Sequence, residues 1–223
     1  MIELYIDTSS SYLYSALLKE NQILLEVKKD YGQQLSQEAL PAIITLFEQN
    51  QLTPQEVDRI YVVVGPGSFT GIRIGVTIAK TFAWTLQKEI IPVSALRAMA
   101  LSYQGEKKYQ MPLIDARRGY VYGAIYEKEG KAIVEDSYLP LTSLEDKAKE
   151  YDKPMKISNS ILFQKEAEPY DPDILKIVEY YRGAKPVNPH FVNPIYLKKT
   201  EAEEKIEKSG ETEKNENSNP NEG

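Results

Sequence analysis

Cysteine is absent from this 223-residue chain, which removes disulfide frameworks, cysteine nucleophiles and thiolate metal sites from consideration. Histidine occurs once, at His190, so a histidine-based metal centre has no second imidazole to complete it. Long apolar runs are also missing. No stretch approaches the ~20 apolar residues of a membrane span. The opening Met1-Ile2-Glu3-Leu4-Tyr5 carries neither a basic segment nor a leader-like apolar core, so a cytoplasmic location without membrane contact is expected. Positive charge is in short supply as well. The net charge is −6, and residues 200–223, with eight Glu against three Lys, hold −5 of it. A chain that binds nucleic acid by itself usually shows a basic excess to replace condensed counterions, and the nearly neutral body shows none. Residues 199–223, with Ile206 as their one large aliphatic side chain, are expected to form a disordered acidic tail.

What the chain does have is a conspicuous junction, Gly65-Pro66-Gly67-Ser68-Phe69-Thr70-Gly71-Ile72-Arg73-Ile74-Gly75. It follows a strand-like run, Tyr61-Val62-Val63-Val64, and Pro66 with Gly67 enforces a turn before Ser68 or Thr70 caps a helix. Amide donors at such a helix start favour anions, yet a strand-to-helix turn needs glycine simply to bend tightly. The spacing fits neither GxGxxG nor the GxxxxGK[ST] loop, so neither phosphate-binding mechanism transfers.

The helix expected over 70–86 carries a second signal. Gly71, Gly75, Ala79 and Ala83 recur every four residues, a stripe without bulk that lets another backbone approach. Ile74, Ile78 and Phe82 form a second apolar row, and Ile72, Val76 and Leu86 widen the arc. Two readings stand open: a helix buried centrally in its own domain, or one packed on its sheet by one side and on a partner by the other.

Periodicity along the chain gives strands at 2–6, 15–19 and 23–28 and a helix at 36–50 marked by Leu40, Ile43, Ile44 and Phe47. Thr53-Pro54-Gln55-Glu56 reads as a capping box with proline at its first position. A strand follows at 59–64, then the long helix, a strand at 90–93 and a helix capped by Ser94. The polar break Gln104-Gly105-Glu106-Lys107-Lys108 marks an expected boundary between lobes 1–103 and 104–198. Beyond it come strands at 112–115, 120–126 and 132–138 and helices at 143–150 and 172–181. The order implies mixed sheets with helices packed on them, an α/β architecture. No short-period sequence repeat is evident.

Asp7-Thr8-Ser9, the 65–80 block, Pro92-Val93-Ser94-Ala95-Leu96, Asp115-Ala116-Arg117-Arg118-Gly119 and Pro194-Ile195-Tyr196-Leu197-Lys198 occur together in order. In this the chain resembles the bacterial TsaB (YeaZ) family over roughly residues 1–198. The resemblance implies an actin-like, Hsp70-like, sugar-kinase-type fold of two RNase H-like lobes. It further implies a non-catalytic subunit of tRNA threonylcarbamoyladenosine synthesis that pairs with TsaD, the subunit transferring threonylcarbamoyl to adenosine 37 of tRNA. A TsaC-type synthase makes the activated adenylate and a TsaE-type subunit acts as ATPase. The catalytic relative holds metal by two histidines one helical turn apart, and the matching positions here are Ala95 and Met99, which cannot bind it. No catalytic or metal-ligating residue is therefore expected.

The nucleotide question stays open in the sequence. Asp7, Thr8 and Ser9, with Gly65 and Gly67, are the candidates for phosphate contact, although residues 7–12 lack the glycine that active phosphate loops place beside a nucleotide. Asp7 can equally cap a turn. Asp115 is either a cleft acid or the anchor of the Arg117-Arg118 turn. The chain itself is expected to require no cofactor, and the resemblance leaves room for ATP or ADP at the subunit interface. Two departures from the family pattern bear on assembly: Leu35-Ser36-Gln37 stands where a histidine precedes Ser-Glu, and Lys198 stands where arginine is usual. The partner interface is expected on Leu40, Ile43, Phe47, Gly71, Ile74, Gly75, Ile78, Ala79 and Phe82, used with TsaD or, in its absence, for a homodimer. The competing reading is an ATP-dependent phosphotransferase or ATPase built on Asp7, Thr8, Ser9 and the 65–67 turn.

Overall fold

A computed structural model describes residues 1–198, so the acidic tail expected over 199–223 lies outside the described residues. The elements in chain order are β1 (Ile2–Asp7), β2 (Tyr12–Lys19), β3 (Gln22–Asp30), α1 (Leu35–Gln49), β4 (Arg59–Gly65), α2 (Phe69–Thr85), β5 (Glu89–Ser94) and α3 (Ala95–Leu101). They continue with β6 (Tyr109–Asp115), β7 (Tyr120–Glu127), β8 (Ala132–Pro140), α4 (Leu141–Ala148), β9 (Met155–Ile157), β10 (Ala167–Glu168) and α5 (Ile174–Tyr181). The capping box at Thr53 and Glu56 forms, at the head of a single 3-10 turn, Pro54–Glu56.

Two five-stranded sheets result, ordered β3-β2-β1-β4-β5 and β10-β9-β6-β7-β8. In the first, β1 to β3 are antiparallel while β4 and β5 run parallel to β1. In the second, β6 to β8 are antiparallel while β9 and β10 run parallel to β6. Each sheet is thus an RNase H-like unit with the same internal order, and the pair makes the actin-like, sugar-kinase-type α/β fold.

Strand alternation explains how the helices are laid on. Along β1, Leu4 and Ile6 face a core built with α1 and α2, whereas Tyr5 faces one built with α3 and α5. Both faces are covered, so β1, β2 and β4 read as nearly unbroken apolar runs, as sheets buried on both sides must. Helix α3 also touches the second sheet, where Leu96, Met99 and Ala100 meet Ala124, Tyr126 and Ile157. The end of the chain returns to the first sheet: α5 packs on it, Val187 N–H donates to Ile90 O, and Ile195 N–H donates to Val64 O. Glu3, 2 % exposed, is held by the Tyr61 hydroxyl at 2.8 Å and by Arg182 at 3.2 Å, which fastens β1 to the end of α5.

Candidate functional site

The Asp7–Ser9 turn and the glycine junction come together, and they spend their hydrogen-bonding capacity on each other. Thr8 is fully buried. Its hydroxyl donates to Gly71 O at 2.7 Å and accepts from Gly75 N–H at 2.9 Å, the carbonyl and amide one turn apart that an α-helix would pair directly. A Cβ on Gly71 would collide with the Thr8 carbonyl oxygen, and one on Gly75 with its hydroxyl. The small-residue stripe therefore admits the chain's own β1–β2 turn. Gly71, Gly75 and Ala79 are buried against the first sheet, so their expected place on a partner surface is corrected. The same holds for Ile43 and Phe47, which are 0 % and 1 % exposed in the first core.

Gly65 and Gly67 are explained in the same way. Both have positive φ, 119° and 158°; a Cβ on Gly65 would sit 2.8 Å from Ile195 O, and one on Gly67 would strike Ser9 O. Within the junction Ser68 N–H donates to Ser9 O at 2.7 Å, and the Ser68 hydroxyl caps α2 by accepting from Gly71 N–H. Three of the five residues expected to meet phosphate, Thr8, Gly65 and Gly67, are thus committed to the chain's own backbone.

Asp7 and Ser9 do reach a cavity. Between the lobes lies a cleft of about 310 Å³, lined by Asp7 and the following serines on one side and by Asp115 and Ser158 on the other. Among the described residues no lysine, arginine or glycine contributes to its lining. Among the described residues, a nucleoside triphosphate would face two carboxyl groups there and no cation. Asp7 Oδ1 accepts from Ser9 N–H at 2.8 Å, and Asp115 Oδ1 accepts from Arg117 N–H at 2.8 Å. Both acids therefore brace the turn after their strand. Burial pushes the Asp7 carboxyl above its usual range, opposed by its bonds from the Ser9 amide and hydroxyl.

Beneath it the phenols of Tyr5 and Tyr170 approach one another without the geometry of a full hydrogen bond, and neither has another partner among the described residues. Burial raises both well above the ordinary tyrosine value. Ala95 and Met99 line the same cleft from α3, where they offer no donor a hard metal would take. Among the described residues no group of three His, Cys, Asp or Glu is arranged to hold a metal ion.

The outer layer offers a different kind of surface. Ile74, Ile78 and Phe82 are half-buried against the first core, and Leu40 on α1 is 43 % exposed. Phe82 packs edge-on to Phe47 with ring centroids 6.5 Å apart, which joins α2 to α1. The returning chain touches the other flank of α2, where Phe69 and Trp84 stay exposed: Phe69 lies 4.9 Å from Tyr196, Trp84 lies 5.5 Å from His190, and Arg73 donates to the Tyr196 hydroxyl. His190 is thus an aromatic packing partner. Of the nine expected interface residues, Leu40, Ile74, Ile78 and Phe82 keep apolar surface.

Tyr170, Ser158 and residues 187–193 belong to this architecture, and no motif in the sequence pointed to them, whereas the block 194–198 carried part of the family resemblance. One signal was there to be read: Asp7 is followed by Tyr12-Leu13-Tyr14, and Asp115, at the same spacing, by Tyr120-Val121-Tyr122.

A family model for TsaD, tRNA N6-adenosine threonylcarbamoyltransferase, matches residues 26–173. The chain is 39% identical over 158 residues to the tRNA threonylcarbamoyladenosine biosynthesis protein TsaB of Bacillus subtilis, covering 70% of this chain and 69% of that protein. It is 26% identical over 202 residues to the uncharacterized protein MG208 of Mycoplasma genitalium, covering 88% and 94%. YeaZ from Pseudomonas aeruginosa, 25% identical, superposes with a TM-score of 0.71 over 88% of this chain and 99% of that one. With its paired RNase H-like sheets and its glycine junction closed on the first turn, the chain belongs to the TsaB (YeaZ) family.

Proposed function

We propose that this chain is a non-catalytic scaffold and activating subunit in tRNA threonylcarbamoyladenosine biosynthesis, pairing with a TsaD-type subunit that carries out threonylcarbamoyl transfer to adenosine 37. A TsaC-type synthase supplies the activated adenylate, a TsaE-type ATPase acts on the assembly, and ATP or ADP is accommodated at the subunit junction. The observation that carries the reading is the fate of the phosphate-loop candidates. Thr8, Gly65 and Gly67 are occupied by the chain's own backbone, and the cleft presents carboxyl groups without a cation among the described residues. Chemistry that stabilises developing negative charge needs donors or cations aimed at it. The lining of this cleft is better suited to holding two lobes in register.

The pairing surface is the strip of Leu40, Ile74, Ile78 and Phe82 on α1 and α2. In the absence of the catalytic subunit the same strip pairs two copies of this chain. Its centre is apolar, as interface cores are.

The test is reconstitution. The isolated chain is expected to show no ATP turnover, and modification of tRNA is expected only with the TsaD-, TsaC- and TsaE-type proteins present. Ile78→Asp should abolish pairing with the TsaD-type subunit while circular dichroism shows a folded chain. Magnesium-dependent ATP turnover by the chain alone, lost in Asp7→Asn, would replace this reading with an ATPase or phosphotransferase. Undiminished pairing by folded Ile78→Asp would remove the interface. Gly75→Arg is unsuitable for that purpose, since it would drive a side chain into Thr8 and disrupt the fold,.

A further inference from the structure

The hairpin between β6 and β7 carries three successive residues in left-handed backbone, Arg117 at φ 68°, Arg118 at 55° and Gly119 at 77°. Arginine gains nothing conformationally from that region, which favours glycine or asparagine. The corresponding turn of the first lobe, Ser9-Ser10-Ser11, has no positive φ. Two strained, exposed arginines are thus set at the tip of one hairpin and not of its counterpart.

Beside them stands a tyrosine ladder. Tyr120 stacks on Tyr138 with centroids 4.9 Å apart and planes at 20°, Tyr122 lies 5.6 Å from Tyr138, and Lys198 sits 5.7 Å above the Tyr138 ring. At the matching positions of the first lobe Tyr12 and Tyr14 stack directly on each other at 5.3 Å, and there Tyr170 closes edge-on over Tyr14 at 5.7 Å. The second set is open at Tyr120, which is 38 % exposed, while Tyr122 and Tyr138 are half-buried. Among the described residues Arg117, Arg118 and Lys198 lie within 4 Å of no carboxylate.

We propose that Tyr120, Tyr122 and Tyr138, with Arg117, Arg118 and Lys198, form a binding surface for single-stranded RNA, rings taking unstacked bases and cations taking phosphates. Sequence-tolerant single-strand binding combines these two parts. A paired duplex hides its base faces, and a carboxylate-bearing protein would use the cations without the rings. The local cluster supplies what the nearly neutral body does not. Taking the RNA to be the single-stranded loop of a tRNA anticodon arm rests on the function proposed above; the surface itself does not.

Fluorescence anisotropy of a labelled anticodon stem-loop, titrated with the full chain at low salt, tests this against a fully paired RNA of equal length. The stem-loop should bind more tightly than the duplex. An R117A/R118A double variant should weaken binding by about tenfold and flatten the log–log salt dependence by about 1.4, two phosphate contacts on a single strand. Y138A should weaken it by about tenfold with the salt slope unchanged. Equal binding of the duplex, binding by R117A/R118A equal to that of the unaltered chain, or competition by poly-glutamate with no effect of Y138A would each overturn the proposal. Ile78→Asp should lose the protein partner yet keep RNA binding, so failure of the pairing interface and failure of this surface are separately visible.

Discussion

The two lobes share a strand order and even a turn, an aspartate closing the first strand and accepting from the amide two residues on, and they differ in what that turn meets. In the first lobe the next residue is Thr8, whose hydroxyl enters the 17-residue helix α2. In the second it is Ala116, and the link from β9 to β10 is only a 3-10 turn, Ile161–Phe163. A hydroxyl is placed where a helix needs one and omitted where the helix is gone. Topology was kept while the crossovers were cut back, which concentrates close backbone packing in the first lobe and leaves the second with an open hairpin.

Substitution at matched places should break that contrast if it is wrong. The largest effect is expected at the helix glycines: Gly71→Val or Gly75→Val should leave little folded protein in urea or thermal unfolding, because backbone or a buried hydroxyl blocks any Cβ. Gly119→Ala, with nothing within 4 Å, should cost only about 1 kcal/mol for its positive φ,. Next, Thr8→Val keeps the shape and deprives two buried backbone groups of their partner, for about 2 kcal/mol in the same measurement. Ala116→Ser should stay within about 0.5 kcal/mol.

Smaller again is Arg182→Ala, which leaves the buried Glu3 with Tyr61 alone. About 1–2 kcal/mol is expected, less than for a fully buried pair, since Arg182 is partly exposed,. Lys156→Met in the second lobe removes bonds to Glu145 and Glu166, which are partly exposed, and should cost about 1 kcal/mol or less,.

The finest test is by pH. Burial raises the Asp7 carboxyl, so the folded chain holds that proton more tightly than the unfolded one. Its contribution is complete below the usual carboxylate range and is lost as pH rises through the raised folded value. Asp7→Asn keeps an acceptor for Ser9 N–H. It should raise the thermal midpoint at neutral pH, and the gain should vanish in acid. A midpoint that rises equally at both pH values would remove ionisation as the cause.

Most of the architecture was legible because it rests on repeated signals. Apolar runs or apolar alternation marked eight of the ten strands among the described residues, and Ser94 caps its helix as its position indicated, accepting from Arg97 N–H. Strands β9 and β10 escaped because three residues and two residues are too short to show alternation,. The site was less legible. Spacing identifies a stripe of glycine and alanine on α2, but a stripe does not say whose backbone will approach it, and here it is the residue after Asp7. Gly65 and Gly67 show the same limit: glycine permits close contact without naming what makes it. Leu40 and Ile43, equally apolar in sequence, separate into exposed and buried only once α1 is docked on the sheet.

The Thr8 hydroxyl also works as a mechanical pin. It grips α2 at Gly71 and Gly75, the residues that flank Ile74 on the outer strip, and its neighbour in the chain is the cleft acid Asp7. Any force that tilts or slides α2 from outside must drag this turn with it or break two buried bonds. The mouth of the interlobe space is thereby geared to the outer surface of the helix, and a subunit pressing on one would be felt at the other.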